Sequence, residues 1–213
     1  MKIQWLGHAC FLITSDSGTR IITDPYSPAE NLFYEPVNES ADVVTISHDH
    51  FDHNNVSDVK GTPEVVKGTT EAKGIKFNAV PTFHDDESGS KRGRNNIFCF
   101  AVDNVRVCHL GDLGHDLSEE QVQAIGGVDV VLAPVGGHFT IDAAIAAKVC
   151  ARLNAKMIIP MHFRNERNSF PVAGVEEFTG GSQNVTETDG SEVEIDANKL
   201  PSVCQVTVLK PAR

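Results

Sequence analysis

Cysteine is scarce in this chain, and the little there is shows no pairing pattern. Cys10, Cys99, Cys108, Cys150 and Cys204 form an odd, scattered set without a C-x-x-C spacing, so the signature of a disulfide framework is absent. Each lies in apolar sequence, where a free thiol packs as a small hydrophobe, and a reducing cytoplasm is the expected home. Long hydrophobic runs are missing as well. The stretch from Val128 to Val135, interrupted by Asp129, falls far short of the roughly 20 residues a bilayer span needs. Met1-Lys2-Ile3-Gln4-Trp5 runs straight into strand-like sequence, with neither the h-region nor the cleavage site of a secretory leader. The expectation is no membrane association. Positive charge is the third deficit: 18 Lys and Arg face 29 Asp and Glu, a formal charge of −11. No global field then draws in a nucleic-acid backbone, although a local basic patch is compatible with this balance.

Internal repeats, low-complexity tracts and linker-like composition are also lacking, and 213 residues, 40% of them apolar, suffice for one well-buried domain expected to cover 1–213. What the chain does have is about nine short β-branched and apolar runs punctuated by Gly, Pro, Asn, Asp and Ser. The clearest are Lys2–Leu6, Cys10–Thr14, Arg20–Thr23, Val43–Ile46, Ile75–Val80, Ile97–Val102, Arg106–Leu110, Val128–Ala133 and Met157–Ile159, with Gln205–Leu209 closing the chain. Asp103-Asn104 marks a hairpin turn. Ser118-Glu119-Glu120-Gln121 reads as a capping box ahead of a short helix stopped by Gly126-Gly127. Asp142 caps a second, Ala-rich helix from Ala143 to Leu153. Gly180 to Glu194 is polar enough for a long surface loop. Several strands are apolar on consecutive residues, which calls for cover on both sheet faces and predicts a layered α/β sandwich.

The chemistry gathers at strand ends. Val43-Val44-Thr45-Ile46-Ser47 is followed at once by His48-Asp49-His50-Phe51-Asp52-His53. In extended chain His48 and His50 point the same way, and a helix starting near Asn54-Asn55-Val56 would present Asp52 and His53 from its first turn. Three further strands end the same way: Ile75–Val80 before His84, Arg106–Leu110 before Asp112 and His115, and Met157–Ile159 before His162. Open sheets place ligands outside the carboxyl ends of their strands, so the shared position of these residues points to one metal site. Asp49 stands outside the pattern as a solvated acid. His8 and His109, in or beside apolar strands, are expected in the core or behind the ligands. His115 and His138 lie on loops where an imidazole could shuttle a proton.

His48-x-His50-x-Asp52-His53, with His84, Gly111-Asp112 and His162 following in order, resembles the H-x-H-x-D-H signature of the metallo-β-lactamase superfamily. The opening Trp5-Leu6-Gly7-His8-Ala9-Cys10-Phe11, Thr23-Asp24-Pro25, Phe83-His84-Asp85-Asp86, Arg92-Gly93-x-Asn95, His109-Leu110-Gly111-Asp112-Leu113-Gly114-His115 and Pro134-Val135-Gly136-Gly137 are similar to its small, stand-alone UlaG-like branch. The resemblance implies an αββα four-layer sandwich with the metals between the edges of two mixed sheets. It assigns His48, His50 and His84 to one ion, Asp52, His53 and His162 to a second, and Asp112 to both. Two divalent ions are implied, zinc first and Mn2+ or Fe2+ as alternatives. Three neutral nitrogens leave a zinc position open, as catalysis requires, and a metal-bridging water would become acidic near pH 7.

The expected function is therefore a metal-dependent hydrolase acting on a small ester, lactone or phosphoester, with Asp52 or Asp112 orienting the nucleophile and His115 or His138 assisting the leaving group. Lys91, Arg92 and Arg94, three cations in four residues beside His84, could clamp an anionic group of that substrate. Two alternatives stand beside this reading: a phosphodiesterase or nuclease on the same metals, and a redox or metal-binding protein of the same fold. The occurrence of His50, where diiron members of the family carry Glu, favours zinc.

Overall fold

The computed structural model describes residues 1–213. In chain order its elements are β1 (Lys2–Gly7), β2 (Cys10–Thr14), β3 (Arg20–Thr23), β4 (Val43–Thr45), β5 (Glu64–Val66), β6 (Thr70–Ala72), β7 (Ile75–Phe83), β8 (Arg94–Val102), β9 (Val105–His109), α1 (Glu119–Ile125), β10 (Val130–Pro134), α2 (Ala143–Arg152), β11 (Met157–Met161), α3 (Glu176–Thr179), β12 (Val185–Glu187), β13 (Glu192–Glu194) and β14 (Gln205–Val208). The strands form a six-stranded sheet, β13-β1-β2-β3-β4-β5, and an eight-stranded one, β12-β14-β11-β10-β9-β8-β7-β6. Both sheets are mixed: β1, β2 and β3 pair antiparallel while β3, β4 and β5 run parallel, and β7 to β9 are antiparallel while β9, β10, β11 and β14 are parallel. This is an α/β sandwich of the expected class. No helix is long and apolar enough to cross a membrane.

The consecutive apolar runs have the cause expected of them. Along β1 to β4, Ile3, Trp5, Phe11, Ile13, Ile21 and Val43 join the large core shared with the other sheet, whereas Leu6, Leu12, Ile22 and Val44 face away into a second cluster with Tyr26, Leu32, Tyr34 and Val37. Two buried faces leave no polar alternation, and each such side chain contributes roughly 1.5–3 kcal/mol by leaving water. The two outer layers differ. Helix α1 packs against β7 and α2 against β10, but the outer face of the six-stranded sheet is covered by irregular chain around Tyr26 to Ala41.

Local signals are borne out where capping or turn chemistry dictates them. Ser118 and Gln121 close a reciprocal capping box at α1, and Asp142 accepts from the Ile145 N–H at α2. Asp103 and Asn104 both adopt positive φ, 50° and 61°, the mirror-image turn that matches strand twist in a two-residue hairpin. Four expectations change. There are 14 strands rather than about nine, because β5, β6, β12 and β13 are three-residue edge strands held by ladder bonds that their polar sequences do not announce. The loop expected over Gly180 to Glu194 consequently contains β12 and β13. No α-helix follows His53, only a single 3-10 turn over Val56–Asp58 whose Asn55 makes no side-chain cap. Cys204 is exposed, unlike the other four free thiols, because it precedes β14 on the sheet's rim.

Candidate metal centre

Six strand ends converge on one edge of the sandwich. From one sheet β1 delivers His8, β3 delivers Asp24 and β4 delivers Ser47 to His53; from the other β7 delivers His84, β9 Asp112 and β11 His162. At four of these exits the backbone is left-handed: His8 (φ 51°), Asp24 (37°), Gly111 (56°) and His162 (54°). For the non-glycine residues this costs about 1–3 kcal/mol each, of the kind seen where a functional geometry is held by its surroundings. Two glycines permit the approach of the loops. A Cβ on Gly114 would lie 2.2 Å from the Asp85 nitrogen, and one on Gly136 would lie 2.3 Å from the His162 carbonyl oxygen.

Asp112 Oδ2 sits at the middle of the cluster. His84 Nε2 is 3.1 Å away, His53 Nε2 3.2 Å, His162 Nε2 3.5 Å and His48 Nε2 4.0 Å. The His50 Nδ1 lies 3.1 Å from His48 Nε2, and ligand atoms of His48, His50 and His84 fall within 4.8 Å of one another. Asp52 Oδ2 is 3.9 Å from His53 Nε2. All seven residues singled out by the sequence are thus brought together, and the side chains of His53, His84, Asp112 and His162 are almost fully buried.

Behind them stands a layer that the sequence reading did not assign. Asp24 accepts from the Ser47 N–H at 2.8 Å and the Ser47 hydroxyl at 2.5 Å, and faces His53 Nδ1 at 2.8 Å. That fixes His53 with Nδ1 as donor and Nε2 turned to Asp112, the usual way a carboxylate sets a ligating histidine. Asp24 follows a strand end like the others, and the same rule would have found it. His8, expected in the core or behind the ligands, is fully buried with Nε2 3.2 Å from Asp52 Oδ2 and its ring 4.2 Å from that of His162. His109 Nε2 meets the Ala9 carbonyl at 2.8 Å while Nδ1 accepts from the Gly111 N–H at 3.3 Å, a core role that joins two strand exits.

Burial drives the electrostatics apart. It lowers His48 to about 3, reinforced by His53, and His8 to about 4, reinforced by His162. Burial opposes charge on His53 too, but Asp112, Asp52 and Asp24 outweigh it and raise that imidazole well above its ordinary value. Burial would raise Asp112, yet His162 and His53 hold it well below the carboxylate range. Neutral imidazoles and ionised carboxylates are the ligand forms of a divalent cation; His48 and Asp112 match them, whereas the carboxylates around His53 favour its protonated form, whose Nε2 proton a cation would displace. The buried His53 Nε2 and Asp112 Oδ1 have no hydrogen-bond partner, an unfavourable state for buried polar atoms that a cation among them would relieve. The donor set, nitrogen with carboxylate oxygen, suits zinc and its neighbours.

The remaining expected site residues are placed less favourably. His115 Nε2 accepts from the Phe83 N–H at 3.1 Å and Nδ1 contacts the Asp116 carbonyl at 2.7 Å. One nitrogen is engaged by the end of β7 and the other by the neighbouring Asp116 carbonyl, so both polar atoms of the ring have partners within the protein. His138 is exposed and packs edge-on against Phe139, with centroids 4.4 Å apart; it does not line the cavity over the ligands. Lys91 is drawn away by Glu87, 2.7 Å distant. Arg94 opens onto a smaller neighbouring cavity beside His48 and His50. Arg92 alone of the three cations reaches the main cavity, with its guanidinium 5.5 Å above the Phe139 ring and no carboxylate partner.

That cavity, about 510 Å³, is floored by His50, Asp52, His84, Asp112 and His162 and walled by Phe51, Phe139 and Phe170. A larger one, about 1140 Å³, lies at the opposite end of β9 and β11 beside Asp103 and Met157 and contains none of the ligands. Of these two cavities only the smaller is lined by the histidine and aspartate cluster.

Comparison with known proteins follows the same outline. The family model described as a β-lactamase superfamily domain matches residues 2–162. A UPF0173 metal-dependent hydrolase of Methanoculleus marisnigri is 28% identical over 93% of this chain and 99% of that protein; one from Archaeoglobus fulgidus is 29% identical over 92% and 94%. A Thermotoga maritima crystal structure, of a candidate Zn-dependent hydrolase of the metallo-β-lactamase superfamily, superposes with a TM-score of 0.81 at 38% identity, covering 98% of this chain and 97% of that one.

Proposed function

The chain belongs to the metallo-β-lactamase superfamily, and on that premise we propose that it is a binuclear zinc hydrolase of small esters, lactones or phosphoesters. The observation that carries this reading is the crowding of four imidazole Nε2 atoms within 4.0 Å of one buried Asp112 oxygen. In the proposal His48, His50 and His84 would hold one ion, Asp52, His53 and His162 would hold the other, and Asp112 would be shared between them. The chemistry supplied by the bound ions is a water acidic enough to attack at neutral pH and a Lewis acid for the electrophile.

The protein's own part is positioning. Asp24 holds His53 in one tautomer through Nδ1. His8, kept neutral by burial, donates through Nε2 to Oδ2 of Asp52, which fixes the carboxylate that would hold an ion and orient its water. The three phenyl rings wall the cavity over these residues, and a substrate seated against them would displace water from the reacting centre. We place the protein in a reducing cytoplasm, where five unpaired thiols persist. Metal analysis of protein purified without added metal, followed by a screen of lactones, thioesters and phosphodiesters, tests the proposal. Two zinc ions per chain with turnover on one of these classes is expected; a single ion, or two ions with every class inert, overturns it.

A further inference from the structure

Above the ligands the cavity changes character, since three separate loops contribute Phe51, Phe139 and Phe170 to its walls. Of the large apolar side chains left in water, Phe33, Phe51, Val65 and Val203, only Phe51, 52% exposed, belongs to this cavity. Phe139 and Phe170 meet edge-on with centroids 5.8 Å apart. Such a surface gains free energy in proportion to the apolar area that a ligand covers.

One cation shares this mouth. Asp85, buried beneath its own loop, accepts the backbone N–H groups of Glu87, Gly89, Lys91 and Arg92 at 2.7–3.0 Å, which presents Arg92 in a fixed place. Asp49, on the cavity rim, is paired with Lys67 at 2.6 Å, and the guanidinium has no ion-pair partner, only the Phe139 ring beneath it. A sugar or nucleotide needs several polar partners from the walls, and phenyl rings provide none. A wholly apolar ester would cover Arg92 without pairing it, an unfavourable burial of charge. A single planar fork matches one carboxylate better than a phosphate dianion, which calls for more than one cation.

We propose that the substrate is an amphiphilic acid: an ester or lactone whose aromatic or branched hydrocarbon body lies against Phe51, Phe139 and Phe170 and whose single carboxylate takes the Arg92 fork. Arg92 is then the specificity-determining residue. For turnover this rests on the hydrolase reading above, but for binding it does not.

Four methyl esters test it, forming a square in which the body carries phenyl or hydrogen and the far terminus is carboxylate or carboxamide. Their kcat/KM values are measured on the metal-loaded protein, and binding of the matching methyl ketones is measured by calorimetry. The wild type should prefer carboxylate over carboxamide by roughly tenfold or more, as expected of a charge-assisted pair, and phenyl over hydrogen by a similar factor. Arg92→Gln should bring the first ratio close to one, Arg92→Lys should keep part of it, and Phe139→Leu should reduce the second; unchanged melting temperatures show that the variants fold. A carboxylate preference that survives Arg92→Gln, or no preference for phenyl, overturns the proposal. Ketones bound in the expected pattern with every ester inert would uphold it while removing the hydrolase reading. Esters cleaved without the pattern would do the reverse.

Discussion

The floor and the mouth of the cavity are built by opposite means. The floor is made of imidazoles and carboxylates on strand ends, their side chains buried except at His50 and Asp52, interlocked by Asp24 and His8, and held through strained backbone. The mouth is made of three phenyl rings and one arginine on loops, partly exposed and joined by little more than ring contacts. A floor of that kind fixes the reaction and tolerates almost no change, whereas such a mouth fixes what is admitted and can vary without touching the fold.

Replacing floor residues should therefore have the largest effects. Asp112→Ala removes the oxygen around which four imidazoles gather; metal analysis should show fewer than two ions per chain, and turnover should fall by more than the roughly hundredfold typical of losing a ligand's supporting contact. Two retained ions with full activity would erase the distinction between floor and mouth. His8→Asn keeps a residue type that tolerates left-handed backbone but loses the imidazole at Asp52. Metal titration should show affinity about tenfold weaker or more, with an unchanged fold by circular dichroism.

The loop under Arg92 comes next. The four N–H groups of Arg92, Gly89, Glu87 and Lys91 outweigh burial and depress the Asp85 carboxyl to about 2. A depressed carboxylate adds stability that is complete above its unfolded pKa and fades as pH falls through the folded value. Amide exchange at Gly89, Lys91 and Arg92 should thus stay protected from neutral pH down to about 4, and loosen only as pH approaches 2; loosening near pH 6 would show that Asp85 is not the anchor. His115→Ala leaves the Phe83 N–H without its acceptor and should cost about 1–3 kcal/mol in denaturant unfolding without altering the shape of the pH–rate profile. Smallest of all, Lys91→Ala should leave kcat/KM within about twofold, the expectation for an exposed ion pair worth at most about 1 kcal/mol.

The same contrast explains what could be read in advance. His48 to His53 is legible because a buried strand forces its successors into one short turn, and the repeated rule of strand then ligand extends it to His84, Asp112 and His162. Phe51, Phe139 and Phe170 are silent in the sequence, since an isolated Phe in a loop looks like any other until three loops meet. The partners of His115 are equally unreadable: it lies three residues from Asp112, but its ring direction is set by the Phe83 N–H and the Asp116 carbonyl. The hairpin at Asp103-Asn104 and the capped helices were readable because they depend on neighbours in sequence. The edge strands β5, β6, β12 and β13 depend on partners elsewhere, and so does the irregular layer over the six-stranded sheet.

The division of the strand exits between the sheets sets the order in which this protein can become a metal binder. His8, Asp24 and the His48–His53 turn belong to one sheet, His84, Asp112 and His162 to the other, so neither sheet carries a full ligand set. During synthesis the first half-set leaves the ribosome long before residue 162, and it offers at most His48, His50, Asp52 and His53. Ion capture then waits for the docking of the two sheets, which is also when the left-handed exits acquire the packing that sustains them. A chain stalled before β11 would be exposed to metal without being able to keep it, and a bound metal ion would report that the two halves have closed.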